Sequence, residues 1–510
     1  MDFINKLKSS LDNEFNVSIT ENMALGFRTT GKNLLDLNFA VASLRSRSEQ
    51  EIVDMFVKAY FEERKTALVW LFYARDVRGG LGERRLFRVI FEYLAKTSDD
   101  VPVEKLIGLI PEYGRYDDLF LLLETKYLAE IIGFIRMQIQ SDLGAMEEGK
   151  SVSLLAKWLP SINASNEKTK KSGKLIAKKL DMTEKEYRQT LSKLRNYIDI
   201  VERKMSADRF GEIKYEAVPS RANLIYKNAF MRHDEERRKG YLESLKKGET
   251  KINASVLFPH EIVHSYVADR VHLLKPYDET LEQLWKALPD IPDLENTIVV
   301  ADGSGSMSAT VGNTNCTALS VANALAIYFA EKSSGQFRDL YITFSKNPQL
   351  VDLSKGKTLK EKLQIAYAYN EVANTDIYKV FMLILNTAVT NGMKQNDMPK
   401  NIVIISDMEF DTCADNASKR LFHQIAKDYS RYGYKLPRLV FWNVNSRTNT
   451  IPVRENDMGV ALVSGFSISI AKMVMSLELD PYKCLMDILS DKRYDMVRNT
   501  LNSIDLVEQT

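Results

Sequence analysis

Three short segments hold side chains able to meet at one charged centre. The first is Asp302-Gly303-Ser304-Gly305-Ser306-Met307, with one carboxylate and two hydroxyls at i, i+2 and i+4. Its glycines let the backbone fold tightly, so several hard oxygen donors crowd one point. Asn374-Thr375-Asp376 and Ser406-Asp407-Met408-Glu409 supply further oxygens. Together the segments predict a site for a single divalent cation. Nucleophilic catalysis finds no support in them. An aspartyl nucleophile would want a second acid two residues after Asp302, where Ser304 stands, and neither Ser304 nor Ser306 is framed as G-x-S-x-G. A separate motif, His260-Glu261-Ile262-Val263-His264, has the H-E-x-x-H spacing that places two imidazoles on one helix face for zinc, with Glu282 available as a third ligand. Pro259 suits a helix first turn, so the expected reading is a structural helix start, with a zinc hydrolase as the less favoured alternative.

The elements that must carry these residues change character along the chain. From about residue 35 to 290 the period is helical. Segments 51–60 and 85–94 place apolar residues at i, i+3, i+4 and i+7, with breaks at Gly79-Gly80, Pro111, Pro160, Pro219, Gly248 and Pro259. After Pro289 and Pro292, short apolar runs alternate with helical stretches near 317–333, 376–391 and 417–431. The runs are 297–300, 340–344, 402–405 and 439–442, and residues 457–465 would add a last or edge strand. Near-continuous apolar strands separated by helices predict a parallel sheet covered on both faces, whose ligands sit at the carboxyl ends of its strands. The expected organisation is two domains, 1–290 helical and 291–510 a doubly wound α/β domain.

The chain has 510 residues, 45% hydrophobic and 27% charged, an ordinary globular composition. No apolar run approaches membrane-spanning length and no signal-like segment opens the chain, so a soluble, cytoplasmic protein is expected. Cys316, Cys413 and Cys484 have no metal or disulfide spacing. The net charge of +2 conceals a basic middle, because residues 161–260 hold 23 Lys+Arg against 14 Asp+Glu, a net +9. Such a stretch predicts an anion-binding face; the plain alternative is a set of solvated helix faces.

Asp302-x-Ser304-x-Ser306, followed by Thr375 and Asp407, resembles the metal-ion-dependent adhesion site of a von Willebrand factor A domain. The resemblance implies Mg²⁺ (or Mn²⁺) held by Ser304, Ser306 and Thr375, with Asp302 and Asp407 acting largely through water, and a position open to a partner's carboxylate. Further strings cover the helical part: residues 75–85, 111–119, 154–161, 187–195, 218–220 and 230–234. They resemble a family spread across plants, fungi, bacteria and large viruses that is similar in layout to the Ro ribonucleoprotein (TROVE) proteins. That likeness implies a HEAT-like helical-repeat domain, possibly ring-forming, followed by a von Willebrand A domain. It implies a non-enzymatic protein that binds single-stranded, misfolded or structured non-coding RNA. The candidate RNA contacts are Arg78, Arg84, Arg115, Lys157, Lys170, Lys171, Lys174, Arg188, Arg195, Arg232 and His233, and Tyr187, Tyr197, Tyr215, Tyr226 and Phe230 could stack bases. For each single aromatic the ordinary reading is core. The competing function is a metal-dependent protein-interaction scaffold for which RNA is irrelevant.

Overall fold

A computed structural model describes residues 15–268, 273–291, 294–312, 314–344, 347–369, 376–410, 421–454, 459–467 and 480–503. The expected fold class is what it contains: helices from Asn33 to Lys286, then a six-stranded sheet interleaved with helices. A two-stranded hairpin, β1 (Ser18–Ile19) and β2 (Leu25–Gly26), precedes the helices. The sheet strands are β3 (Thr297–Asp302), β4 (Leu340–Phe344), β5 (Gln349–Asp352), β6 (Asn401–Ser406), β7 (Arg438–Asn443) and β8 (Val460–Ser464). Their order is β5-β4-β3-β6-β7-β8. All pairs are parallel except β4 with β5, so an antiparallel edge strand was missing from the sequence reading. β5 is only half buried and lacks the continuous apolar signature of the inner strands, which explains the omission.

The connection direction reverses between β3 and β6, which lie side by side at the centre. Every residue of β3 is buried, as is all of β6 after Asn401. The helix Ala318–Lys332 is buried on all sides from Ala318 to Ala330. Such a helix must be covered on both faces. One face meets the sheet, and the helix Pro259–Tyr266 packs against it from among the residues that precede the strands.

Packing divides the chain into two compact units, each discontinuous: Met1–Ala67 with Ala254–Ser490, and Leu68–Asn253 with Asp491–Thr510. The single cut expected at residue 290 does not describe this division. In the sheet-bearing unit the helix Asn33–Leu44 lies against β8, where Ala42 N donates to Ser464 Oγ (2.9 Å) and Asn443 Nδ2 donates to Phe39 O (2.8 Å). The helix Glu279–Lys286 joins the same unit, with Trp285 Nε1 donating to Glu331 (2.6 Å). Apolar periodicity marks these segments as helices but does not say which surface they cover.

The helical unit has its own core. Phe72 makes edge contacts with Phe87 and Tyr113, and Tyr113 stacks on Tyr494 at 5.7 Å. The returning C-terminal segment is held by Asp76, which accepts from Arg493 Nε (2.5 Å) and Nη2 (3.0 Å) as well as from Gly79 N (3.1 Å). Among the described residues no helix is long and apolar enough to cross a membrane.

Candidate metal centre and candidate nucleic-acid interface

At the carboxyl ends of β3 and β6, next to the reversal point, the structure brings together Asp302, Ser304, Ser306 and Asp407. Ligands of doubly wound sheets gather at this position. Asp302 Oδ1 accepts from Ser304 N (2.9 Å) and its Oδ2 from Ser406 Oγ (2.7 Å). Ser304 and Ser306 share a hydroxyl hydrogen bond of 2.9 Å, and Ser306 donates to Asp407. Asp302 and Asp407 are each 1% exposed, whereas Ser306 is half buried and forms the open side. Thr375 lies outside the described residues; Asp376 beside it caps the helix Ile377–Thr390 through Lys379 N.

Electrostatics sharpen the reading. Burial holds the Asp302 carboxyl well above the ordinary carboxylate range, and the facing Asp407 raises it further. Burial also raises Asp407, with Glu409 adding to the effect and Arg447 opposing it. Two buried carboxylates that repel each other, surrounded by hydroxyl oxygens, form a donor set suited to a hard divalent cation such as Mg²⁺ or Mn²⁺.

The sequence reading counted Glu409 among the oxygens of this site but missed the clamp that its carboxylate forms. Met408 adopts a left-handed conformation (φ 63°) while fully buried, a costly choice for a side chain of its size. The turn it makes follows Asp407 directly and leads into Glu409. Glu409 Oε1 accepts from Arg447 N and Thr448 N (both 2.9 Å), and Oε2 accepts from Glu21 N (2.9 Å) and Thr448 Oγ1 (2.9 Å). One buried carboxylate thus joins the turn between β1 and β2 to the loop after β7. Asn22 Nδ2 donates to Glu409 O (2.7 Å) and Thr20 Oγ1 to Phe410 O (2.6 Å), completing the clamp. Arg447 pairs with Glu21 at 2.6 Å and lies 3.6 Å from Asp407. Its only trace in the sequence is the extra acid two residues after Asp407.

The H-E-x-x-H segment forms the helix Pro259–Tyr266, with proline in its first turn. Glu261 caps it by accepting from Phe258 N (3.1 Å), and His260 stacks on Phe258. Burial and the nearby Lys275 lower the pKa of His264. Glu282 is engaged elsewhere: it accepts from Tyr266 Oη (2.7 Å) and from Leu359 N (2.8 Å) and Lys360 N (3.2 Å), holding the start of the helix Leu359–Ala368. Among the described residues no group of three His, Cys, Asp or Glu is placed to hold a metal.

In the helical unit, pairing with carboxylates separates the candidate RNA contacts. Arg84 and Arg115 bind Asp117, and Arg115 also lies over the Trp158 ring at 4.2 Å. Arg78 faces Glu112 at 3.9 Å, Lys157 faces Glu202 at 3.7 Å, Lys170 faces Glu167 at 3.3 Å and Lys174 faces Glu184 at 3.0 Å. His233 stacks on Phe210, 3.8 Å from Asp208. Lys171, Arg188, Arg195 and Arg232 have no such partner among the described residues. Two of these four, Arg188 and Arg195, line one cleft of about 370 Å³ together with Arg203, which the sequence reading had not singled out.

The proposed stacking aromatics do not fit that role as a set. Tyr187, Tyr215 and Phe230 are buried; Tyr187 Oη donates to Pro160 O (3.1 Å) and Tyr215 packs edge-on against Phe230. Tyr226 contacts the same Phe230 edge-on, and Tyr197 is the more exposed ring, its hydroxyl donating to Lys150 O (2.8 Å).

The chain is a helical protein with an α/β part whose sheet carries an acidic, hydroxyl-rich centre at its reversal point. Known proteins place it among relatives of the same extent. Residues 296–507 match a family described as a domain of unknown function, DUF7788, and residues 133–290 match another so described, DUF2828. The chain is similar to "Uncharacterized protein L728" of Acanthamoeba polyphaga mimivirus, 28% identical over 517 residues, covering 93% of this chain and 87% of that protein. Among solved structures it is similar to the Ro (RSR) protein of Deinococcus radiodurans, with a TM-score of 0.34 and 11% identity over 90% of this chain and 93% of that one.

Proposed function

We propose that this chain binds RNA without catalysing a reaction, the helical unit contacting the phosphate backbone and the α/β unit holding a Mg²⁺ or Mn²⁺ ion. The observation that carries the RNA reading is the cleft lined by Arg188, Arg195 and Arg203, none of which has a carboxylate partner among the described residues, within a stretch of net charge +9. Arginines left without counter-ions are available to phosphates, and phosphate contacts account for most sequence-independent affinity. Paired lysines such as Lys170 and Lys174 would first have to give up Glu167 and Glu184, so they contribute less. Contact with the phosphate backbone suits this chemistry better than base stacking, because the aromatics of the region are largely committed to the core.

For the α/β unit, the buried pair Asp302 and Asp407 supports metal binding. A bound cation would neutralise the two carboxylates and offer an open position to a partner's carboxylate. Ser304 and Ser306 would contribute hydroxyl oxygens, and Thr375 is the further ligand the resemblance implies. Filter binding of a single-stranded oligoribonucleotide to the full chain tests the RNA reading. Affinity should fall by about 10-fold or more between 50 and 200 mM salt if several phosphates are contacted. Absence of binding at low salt would remove the reading.

A further inference from the structure

The cleft of the helical unit is a specific pocket rather than one more patch of a basic surface. It lies between the helix Glu184–Tyr197, the loop after Pro160 and the helix Val201–Ser206. Its floor is Arg195, half buried and fixed in place by three hydrogen bonds: Nε donates to Ala156 O (2.7 Å), Nη1 to Ser161 Oγ (2.9 Å) and Nη2 to Leu159 O (2.7 Å). A guanidinium carries five N–H groups, so two remain for a ligand. The acceptors that hold it are carbonyls and a hydroxyl, which orient the group without neutralising its charge. Having accepted from Arg195, Ser161 keeps its own O–H to donate.

Arg203 stands half buried beside this floor, and Arg188 forms the exposed rim. Each makes a single weak contact with a backbone carbonyl, at 3.4 Å to Ser192 O and 3.3 Å to Glu184 O. Burial depresses the Arg195 pKa, Tyr187 opposes that effect and the neighbouring Arg203 adds to it. Among the described residues no acid lines the cleft. The nearby cavity of about 400 Å³ around Trp158 shows the contrast: there Arg88 and Lys168 face Glu92, Asp117 and Glu124, so the lining is net acidic.

We propose that the Arg188–Arg195–Arg203 cleft binds a phosphomonoester, a dianionic group with more charge and more free acceptor oxygens than an internal phosphodiester. Three guanidiniums around one cleft match such a group, and neutral hydroxyls leave their charge intact. The volume accommodates a phosphate with its attached nucleoside. For the source of that group the proposal rests on the RNA reading above: the terminal phosphate of a strand, as opposed to a free mononucleotide.

Isothermal titration of the full chain tests this with ten-nucleotide oligouridylates carrying a 5′-phosphate, a 3′-phosphate or neither, and with uridine monophosphate alone. The R188A/R203A double variant serves as control, since neither side chain holds the fold together; R195K keeps the floor charge while removing its fork. A preference of about tenfold for one phosphorylated end, lost in R188A/R203A and weakened in R195K, is the expected result. Binding of uridine monophosphate without any oligonucleotide binding would keep the pocket and overturn the RNA reading. Oligonucleotide binding indifferent to the terminal phosphate, or a preference that persists in R188A/R203A, would overturn the pocket and leave the RNA reading standing. No binding of any probe would overturn both.

Discussion

Asp302 and Asp407 are both buried, and burial raises both carboxyls, with Asp407 adding to the rise at Asp302 and Glu409 to that at Asp407. A carboxyl whose folded-state pKa is raised holds its proton more tightly in the folded than in the unfolded chain. Its stabilising contribution is fully present in acid and is lost as pH rises through the folded value. In chelator, the unfolding midpoint in urea should therefore fall as pH rises between about 4 and 8. Saturating Mg²⁺ should reduce that fall, because a cation offsets the charge that ionisation creates; a profile unaffected by Mg²⁺ would argue against metal binding. At about 100 times its dissociation constant Mg²⁺ should raise the Tm by roughly 5 to 10 °C. D302N should abolish the increment in differential scanning fluorimetry while still melting cooperatively. These residues were legible because chemistry is encoded in their types and spacing. Arg203 was not, because nothing in Val201-Glu202-Arg203-Lys204 distinguishes an arginine that lines a cleft from one on a solvated face.

Glu409 and Gly173 show how elements are fixed. Glu409 is fully buried and accepts hydrogen bonds from three backbone amides contributed by separate segments. E409A would leave those donors without an acceptor, and should cost roughly 3 kcal/mol in urea unfolding of the full chain. It should also speed proteolysis in the β1–β2 turn, whose Glu21 and Asn22 are tied to this residue. Gly173 lies in the helix Glu167–Lys179, where a Cβ would come within 2.8 Å of Pro160 O and 3.2 Å of Ile162 Cγ2. G173A should destabilise by about 1 to 3 kcal/mol despite the better helix propensity of alanine, because it forces this helix away from the loop that borders the arginine cleft. The helices Ala318–Lys332, Ile377–Thr390 and Leu421–Arg431 fall where helical period placed them. The clamp was not legible, since the partners of Glu409 are distant in the chain, Arg447 and Thr448 by 38 and 39 residues and Glu21 by 388.

For the whole molecule, the discontinuity of both units governs how the chain can be divided. The sheet-bearing unit takes in the helices Asn33–Leu44 and Glu49–Glu62 and residues 254–290 together with a sheet that begins at Thr297. A fragment comprising residues 291–510 would lack these covers, leaving the buried, mostly apolar helix Ala318–Lys332 and strand β8 open to water. Expressed alone, it should aggregate or melt without a cooperative transition. A chain joining residues 15–67 to 254–490 should give one cooperative transition by circular dichroism. A soluble, cooperatively melting 291–510 fragment would contradict this account.

The sequence by itself determined the inner strands and many of the helices, because hydrophobic period acts over a few positions, but not the half-buried edge strand β5. It also pointed to the cluster of Asp302, Ser304, Ser306 and Asp407, because these residues sit at strand ends that a parallel sheet must bring together. Tertiary structure decided which helices cover the sheet, since one apolar face can be buried equally well against many surfaces. It decided, too, which cations keep their charge available: Lys170 and Lys174 meet glutamates, whereas Arg188, Arg195 and Arg203 meet none. Whether a charge is cancelled depends on what lies within about 4 Å of it in space, and composition carries no record of that distance.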